Sequence, residues 1–150
     1  MKISLLYIQS NKTKNAESFE NHFLKNIKKN MDIELISLPV KKKFTSMQQQ
    51  IEYESSLLLD KVGKNEYICF DKTGLKMSSE EFSKTLYKSN QKIKLVIGGA
   101  FGLSEKIKKE AKGIISFSDM EFSHEVFRVM LLEQIYRANC IFNNHPYHQN

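Results

Sequence analysis

Residues 95–128 read LVIGGAFGLSEKIKKEAKGIISFSDMEFSHEVFR. The β-branched run Leu95-Val96-Ile97 stops at Gly98-Gly99, which predicts a buried strand that ends in a sharp turn. Gly102 follows, and Ser104 stands in N-cap position before a predicted helix over 105–112. A second strand is predicted over 113–117, then a loop through Ser118-Asp119-Met120-Glu121-Phe122, then the start of a long helix. Two neighbouring strand ends of this kind make a pocket floor, because ligands of open α/β sheets sit at the carboxyl ends of the strands. The G-G-x-x-G turn has two readings, a close ligand approach or a tight connection with no ligand. It is neither the dinucleotide fingerprint G-x-G-x-x-G nor a P-loop, since no Gly-Lys-Ser/Thr follows.

Outward from this stretch the same alternation repeats. Strands are predicted over 2–8, 32–38 and 66–71, the third turned by Lys72-Thr73-Gly74. Helices are predicted over 13–29, 47–61 and 78–89, the last opened by the capping-box pair Ser78 and Glu81. The final helix runs over about 123–139, followed by a polar tail. Five β-α units with short connections predict an α/β fold, a mostly parallel sheet with helices on both faces, in one domain over 1–150.

The composition, 41% hydrophobic and 27% charged, is that of a soluble globular chain. No apolar run reaches the roughly 18 residues of a membrane span, and the run 3–8 is short for a signal-peptide core. The expected location is the cytoplasm. Cys69 and Cys140 are isolated, which predicts buried thiols rather than a disulfide framework. Cys140, His145 and His148 lack the spacing and fourth ligand of a zinc site, so no metal is expected.

A net charge of +6 and a pI near 9.2 fit a polyanionic partner, or a plain lysine coat. Of the 23 basic residues only Arg128 and Arg137 are arginine, and both lie on the final helix. Guanidinium supplies a planar fork for oxygen contacts, toward a ligand or toward a carboxylate such as Glu133. The triplet Lys41-Lys42-Lys43 is either a solvated loop or a phosphate contact. Val126, Phe127, Val129, Met130, Leu131, Leu132, Ile135, Tyr136 and Ala138 cover most of the last helix. That exceeds the apolar stripe one core needs and predicts a second packing partner, a symmetric homodimer being the commonest.

Ile97-Gly98-Gly99-x-x-Gly102-Leu103, Ser116-Phe117-Ser118-x-Met120-x-Phe122-x-His124-x-x-x-Arg128, Glu133-Gln134-x-Tyr136-Arg137-Ala138 and Tyr147-His148 together resemble the RlmH family across the whole chain. These are small SPOUT-class methyltransferases that modify a pseudouridine of large-subunit ribosomal RNA. The resemblance implies a C-terminal trefoil knot, a homodimer, S-adenosylmethionine as cofactor and the ribosome as partner. It places cofactor binding at Phe70, Gly98 and Phe117 through Phe122, that is Phe117, Ser118, Asp119, Met120, Glu121 and Phe122. It also implies that the tail of one subunit completes the site of the other.

Several of these residues keep two readings. Phe117 and Phe122 are either pocket walls or core aromatics. Asp119 and Glu121 are solvated carboxylates, or they balance a sulfonium. His124, at a helix start whose dipole favours neutral imidazole, is a base or orienter, or merely a capping side chain. His124, Arg128, Tyr147 and His148 are the catalytic candidates, the last two as planar groups able to stack on an unpaired base. Arg137 and Lys41, Lys42 and Lys43 are the RNA-binding candidates. The chain departs from the family at Ser123, at Ala100-Phe101 and at Gln149-Asn150. The competing function is a non-catalytic ribosome- or RNA-binding protein of the same fold. A hydrolase using His124 lacks a nucleophile motif.

Overall fold

The structure, a computed structural model, describes residues 1–10, 12–89 and 92–149. Strands β1 (Lys2–Ile8), β2 (Asp32–Leu38), β3 (Tyr67–Lys76), β4 (Lys92–Ile97) and β5 (Gly113–Ser116) form one sheet in the order β2-β1-β4-β3-β5. Every pairing is parallel. Helices α1 (Lys14–Ile27), α3 (Ser79–Lys88) and α5 (His124–Phe142) take one face, and α2 (Met47–Val62) and α4 (Glu105–Glu110) the other. Alternate residues of β1 divide accordingly. Ile3, Leu5 and Tyr7 join the core beneath α1, α3 and α5, while Leu6 and Ile8 join the core beneath α2 and α4. This two-sided burial explains why the central strands are continuous apolar runs rather than alternating ones.

Each helix begins at a hydroxyl N-cap: Thr13, Ser46, Ser78, Ser104 and Ser123. The Ser78–Glu81 capping box is complete in both directions. Ser123 accepts from the Val126 N–H at 3.4 Å, so the departure at this position supplies its own helix cap.

The third strand differs from expectation. Lys72-Thr73-Gly74 does not turn it; the strand resumes and ends at Lys76. Phe70 and Leu75 both face Ile115, so the intervening residues bulge out of the ladder. A side chain at Gly74 would come within 2.6 Å of the Ile114 backbone, so the glycine marks a close approach rather than a reversal.

The last helix is longer than expected and lies between α1 and α3, above the sheet. Thr13 meets Glu125, Glu20 meets Arg128 and Phe23 meets Tyr136, so α1 and α5 run in the same direction. On the other flank Ser79 donates to Gln134 and Ser83 donates to the Ala138 carbonyl, while Tyr87 stacks on Phe142. Much of the helix's apolar circumference is therefore used within the chain. Its outer strip joins exposed Val126 to partly buried Val129 and Met130, and Phe19 of α1 is exposed as well. Among the described residues no helix is long and apolar enough to cross a membrane.

Candidate active site

The carboxyl ends of β4 and β5 and the bulge of β3 between them open into one crevice of about 460 Å³. β3 contributes Phe70 and Asp71, and β4 with its following turn contributes Ile97 through Gly102. β5 and its loop contribute Ile115 through Ser118 and Met120 through Phe122, and α5 contributes His124 and Phe127. The volume lies in the range of small-molecule sites.

The turn after β4 is built on its glycines. Gly99 and Gly102 pair across it, Gly102 has φ +89°, and a side chain at Gly98 would come within 2.8 Å of the Gly102 backbone. The turn therefore presents main-chain groups, rather than side chains, to the crevice floor. The back wall is aromatic: Phe117 lies 5.7 Å from Phe70 and 4.9 Å from Phe127, centroid to centroid. Phe82 closes this cluster from behind. Phe117 is thus both wall and core, and its two readings are one. Phe122 is exposed at the mouth.

The loop after β5 is pinned by its serines. Ser116 Oγ donates to the Ser118 carbonyl at 3.0 Å, and Ser118 Oγ accepts from the Met120 N–H at 3.0 Å. Glu121 accepts from Lys72 at 2.7 Å on the rim, and that lysine holds its carboxyl below the usual range. Asp119 pairs with Lys76 and does not line the crevice, unlike the other expected cofactor contacts.

His124 reaches the crevice wall, half-buried. Its pKa is lowered first by burial and then by the Arg128 charge. The helix start was the cause expected from sequence; desolvation and a cation one turn away are what the structure supplies.

Arg128 does not line the crevice. Its guanidinium is buried toward the end of β1, donating to Glu20 Oε1 at 2.8 Å and to Ser10 Oγ at 3.3 Å, with the Tyr7 ring centroid 4.6 Å away. Lys12 holds the other oxygen of Glu20 at 2.8 Å. Sequence reasoning missed Glu20. The available signal was its place on the apolar stripe of α1, between Ala16 and Phe23, where a carboxylate needs a buried partner.

The tail docks on its own helix. Pro146–His148 form a 3-10 turn. Arg137 donates from Nε and Nη2 to Glu133 Oε1 at 3.0 and 2.6 Å, lies 4.8 Å from the Tyr147 centroid, and contacts His148 Nδ1 at 3.1 Å. Tyr147 donates to Glu133 at 3.1 Å, and His148 Nε2 lies 2.8 Å from Glu80. Arg137 lies thirteen residue steps beyond His124 along α5, about 20 Å at the α-helical rise. The structure therefore brings Arg137, Tyr147 and His148 to one another but not to the crevice of their own chain. Gln149 is exposed, and Asn150 lies outside the described residues.

Lys41, Lys42 and Lys43 are exposed between β2 and α2, with Lys42 5.0 Å from the Tyr53 ring centroid, and none lines the crevice. Cys69 and Cys140 are free and buried, and burial pushes the Cys69 thiol up to about 12, away from reactivity.

A parallel α/β sheet with a crevice at its carboxyl edge is the architecture in which small molecules are bound at strand ends. The family model described as predicted SPOUT methyltransferase matches residues 1–148. A ribosomal RNA large subunit methyltransferase H from Dictyoglomus thermophilum is 38% identical, covering 99% of both chains. One of the same name from Acholeplasma laidlawii is 34% identical over 99% of this chain and 100% of its own. Among solved structures, a probable methylase family protein from Haemophilus influenzae aligns with 99% of this chain and 70% of its own, at 12% identity and a TM-score of 0.57. The chain belongs to the SPOUT methyltransferase family, in its RlmH branch.

Proposed function

We propose that the chain is a methyltransferase that uses S-adenosylmethionine to methylate N3 of a pseudouridine in 23S ribosomal RNA of the assembled ribosome. The observation that carries this reading is the crevice. Two strand ends, the bulge of a third strand, a main-chain glycine turn and an aromatic wall meet there in one volume of about 460 Å³. The full-length similarity to proteins named ribosomal RNA large subunit methyltransferase H supports the choice of substrate.

The residues present fit the cofactor. Phe70, Ile97 and Phe117 offer apolar walls to an adenine, and the backbone around Gly98 and Ser118–Met120 offers donors and acceptors. The cofactor supplies a methyl group on a positively charged sulfur. What the protein must do is align a nucleophile behind that methyl and remove the N3 proton. His124 suits the second task, since its depressed pKa leaves a neutral, proton-accepting ring at pH 7. Arg128 acts through position, fixing the first turn of α5 to α1. Asp119 and Glu121, paired with Lys76 and Lys72, shape the rim rather than the floor.

Residues 1–150 act as one domain in the cytoplasm, as a homodimer joined through the outer face of α1 and α5, with the chain ending in a trefoil knot. Exposed Phe19 and Val126 support that face. In the dimer, Arg137 holds Tyr147 and His148 for the crevice of the opposite subunit, where they stack on the target base. The test is transfer of labelled methyl from S-adenosylmethionine to ribosomes from a strain lacking the protein. Label at N3 of a 23S pseudouridine is expected. Failure to label ribosomes, together with no calorimetric binding of S-adenosylmethionine, would establish the non-catalytic binding protein instead.

A further inference from the structure

We propose that a single-stranded segment of RNA crosses the groove between α4 and the β3 bulge, with Phe101 as a stacking platform where that groove meets the crevice. The inference rests on the proposed RNA substrate and assigns the surface that grips it. Lys106, Lys108 and Lys109 of α4 line one surface groove with Glu105, Ile114 and Thr73 of the bulge, about 390 Å³ in volume. Lys108 is engaged by Glu105 at 2.9 Å and stands 4.0 Å from Asp71, so it neutralises the groove's carboxylate. Lys106 and Lys109 are exposed and form no ion pair among the described residues. They are left as point charges for phosphate.

Groove and crevice share a rim. Thr73 donates its N–H to Asp71 at 3.0 Å, and Asp71 and Lys72 line the crevice. On the opposite side Phe101 and Gly102 line the crevice, and Ser104, two residues on, caps α4. At that junction Phe101 is 46% exposed, on a turn held by the Gly99–Gly102 pairing. An exposed aromatic ring at the crevice, a few residues before the free lysines of the groove, is the combination that binds unpaired nucleotides without reading their sequence. A strand following the groove would deliver its next nucleotide to the crevice mouth. Lys41, Lys42 and Lys43 line neither cavity, which favours α4 over that triplet as the phosphate grip.

The experiment compares the full-length wild-type protein with K106E/K109E, F101A, F101Y and the charge-matched K28E/K29E, measuring KM for ribosomes across salt and Kd for S-adenosylmethionine. K106E/K109E is expected to raise the ribosome KM and to lower its salt slope by about 0.7 for each phosphate no longer neutralised. F101A is expected to raise it roughly 5- to 150-fold, and F101Y to restore it. Cofactor Kd of K106E/K109E and K28E/K29E is expected to stay within about twofold of wild type, since those lysines line no part of the crevice. Phe101 does line it, so F101A and F101Y are compared at saturating cofactor. The proposal is overturned if K106E/K109E is no weaker than K28E/K29E, if the Lys41–Lys43 triple glutamate variant is impaired more, or if F101Y is no better than F101A. If the wild-type protein transfers no methyl group, the proposed reaction falls. Cosedimentation of the same variants with ribosomes then decides the RNA path by the same comparisons.

Discussion

Arg128 donates through Nε to Glu20 Oε1 at 2.8 Å, and both side chains are only 1% exposed. The pair ties the first turn of α5, which carries His124, to α1 and the end of β1. E20A leaves buried Arg128 without its counterion and should cost about 3–5 kcal/mol, whereas R128A leaves Glu20 its second cation, Lys12, and should cost less. An apolar double replacement, R128M with E20L, should lose much less. Urea unfolding of the four proteins checks this.

His124 gives a second prediction. If it accepts the N3 proton, H124A should lower kcat by about 10²- to 10⁴-fold while leaving the KM for S-adenosylmethionine near wild type. Its lowered pKa also has a stability consequence. Between the folded pKa and the ordinary value of 6.5, the unfolded chain binds the proton and the folded chain does not. Stability contributed by neutral His124 is therefore present above 6.5 and lost as pH falls below it. H124A should flatten that part of the curve, as read by thermal unfolding from pH 5 to 8.

Glu54 behaves in the opposite sense. Its side chain is buried against Gly99, behind the crevice floor, and burial raises its carboxyl above the ordinary value of 4.5. Here the folded chain holds the proton more tightly than the unfolded one, so stability is full below 4.5 and lost as pH rises through the folded value. Wild type should lose stability relative to E54Q between pH 4 and 8, and the two curves should run parallel below 4.5.

The dimer face gives a fourth. Phe19 and Val126 are 60% and 49% exposed on adjoining helices. V126E should convert the proposed dimer to a monomer in sedimentation velocity and abolish methyl transfer, because the tail could no longer reach a neighbour's crevice. A monomeric wild-type protein would contradict the assembly.

Much of this was legible from local rules. Leu95-Val96-Ile97 before two glycines, Ser104 before a helix, and the Ser78–Glu81 pair all decided their own conformations. The meeting of Phe70, Gly98 and Phe117 was implied by the family resemblance; the strands ending at Gly98 and Phe117 were expected to be neighbours, but β3 lies between β4 and β5 and supplies Phe70. What was not legible depended on distant partners. Lys72-Thr73-Gly74 has turn chemistry, and only the β5 backbone beside Gly74 makes it a bulge. Arg128 and Arg137 looked alike, yet Glu20, more than a hundred residues away in sequence, buries one, while Glu133 and the tail hold the other. The cause of the His124 shift was likewise tertiary.

S-adenosylmethionine is proposed to occupy the crevice where β4 and β5 end beside the bulge of β3. Titrating it into isotopically labelled protein and following backbone amides by NMR tests this most directly. Saturable shifts at Gly98 through Gly102 and at Phe117 through Phe122, with Lys41 to Lys43 unmoved, are predicted. Saturating cofactor that leaves those amides in place, or moves a different surface, would contradict it.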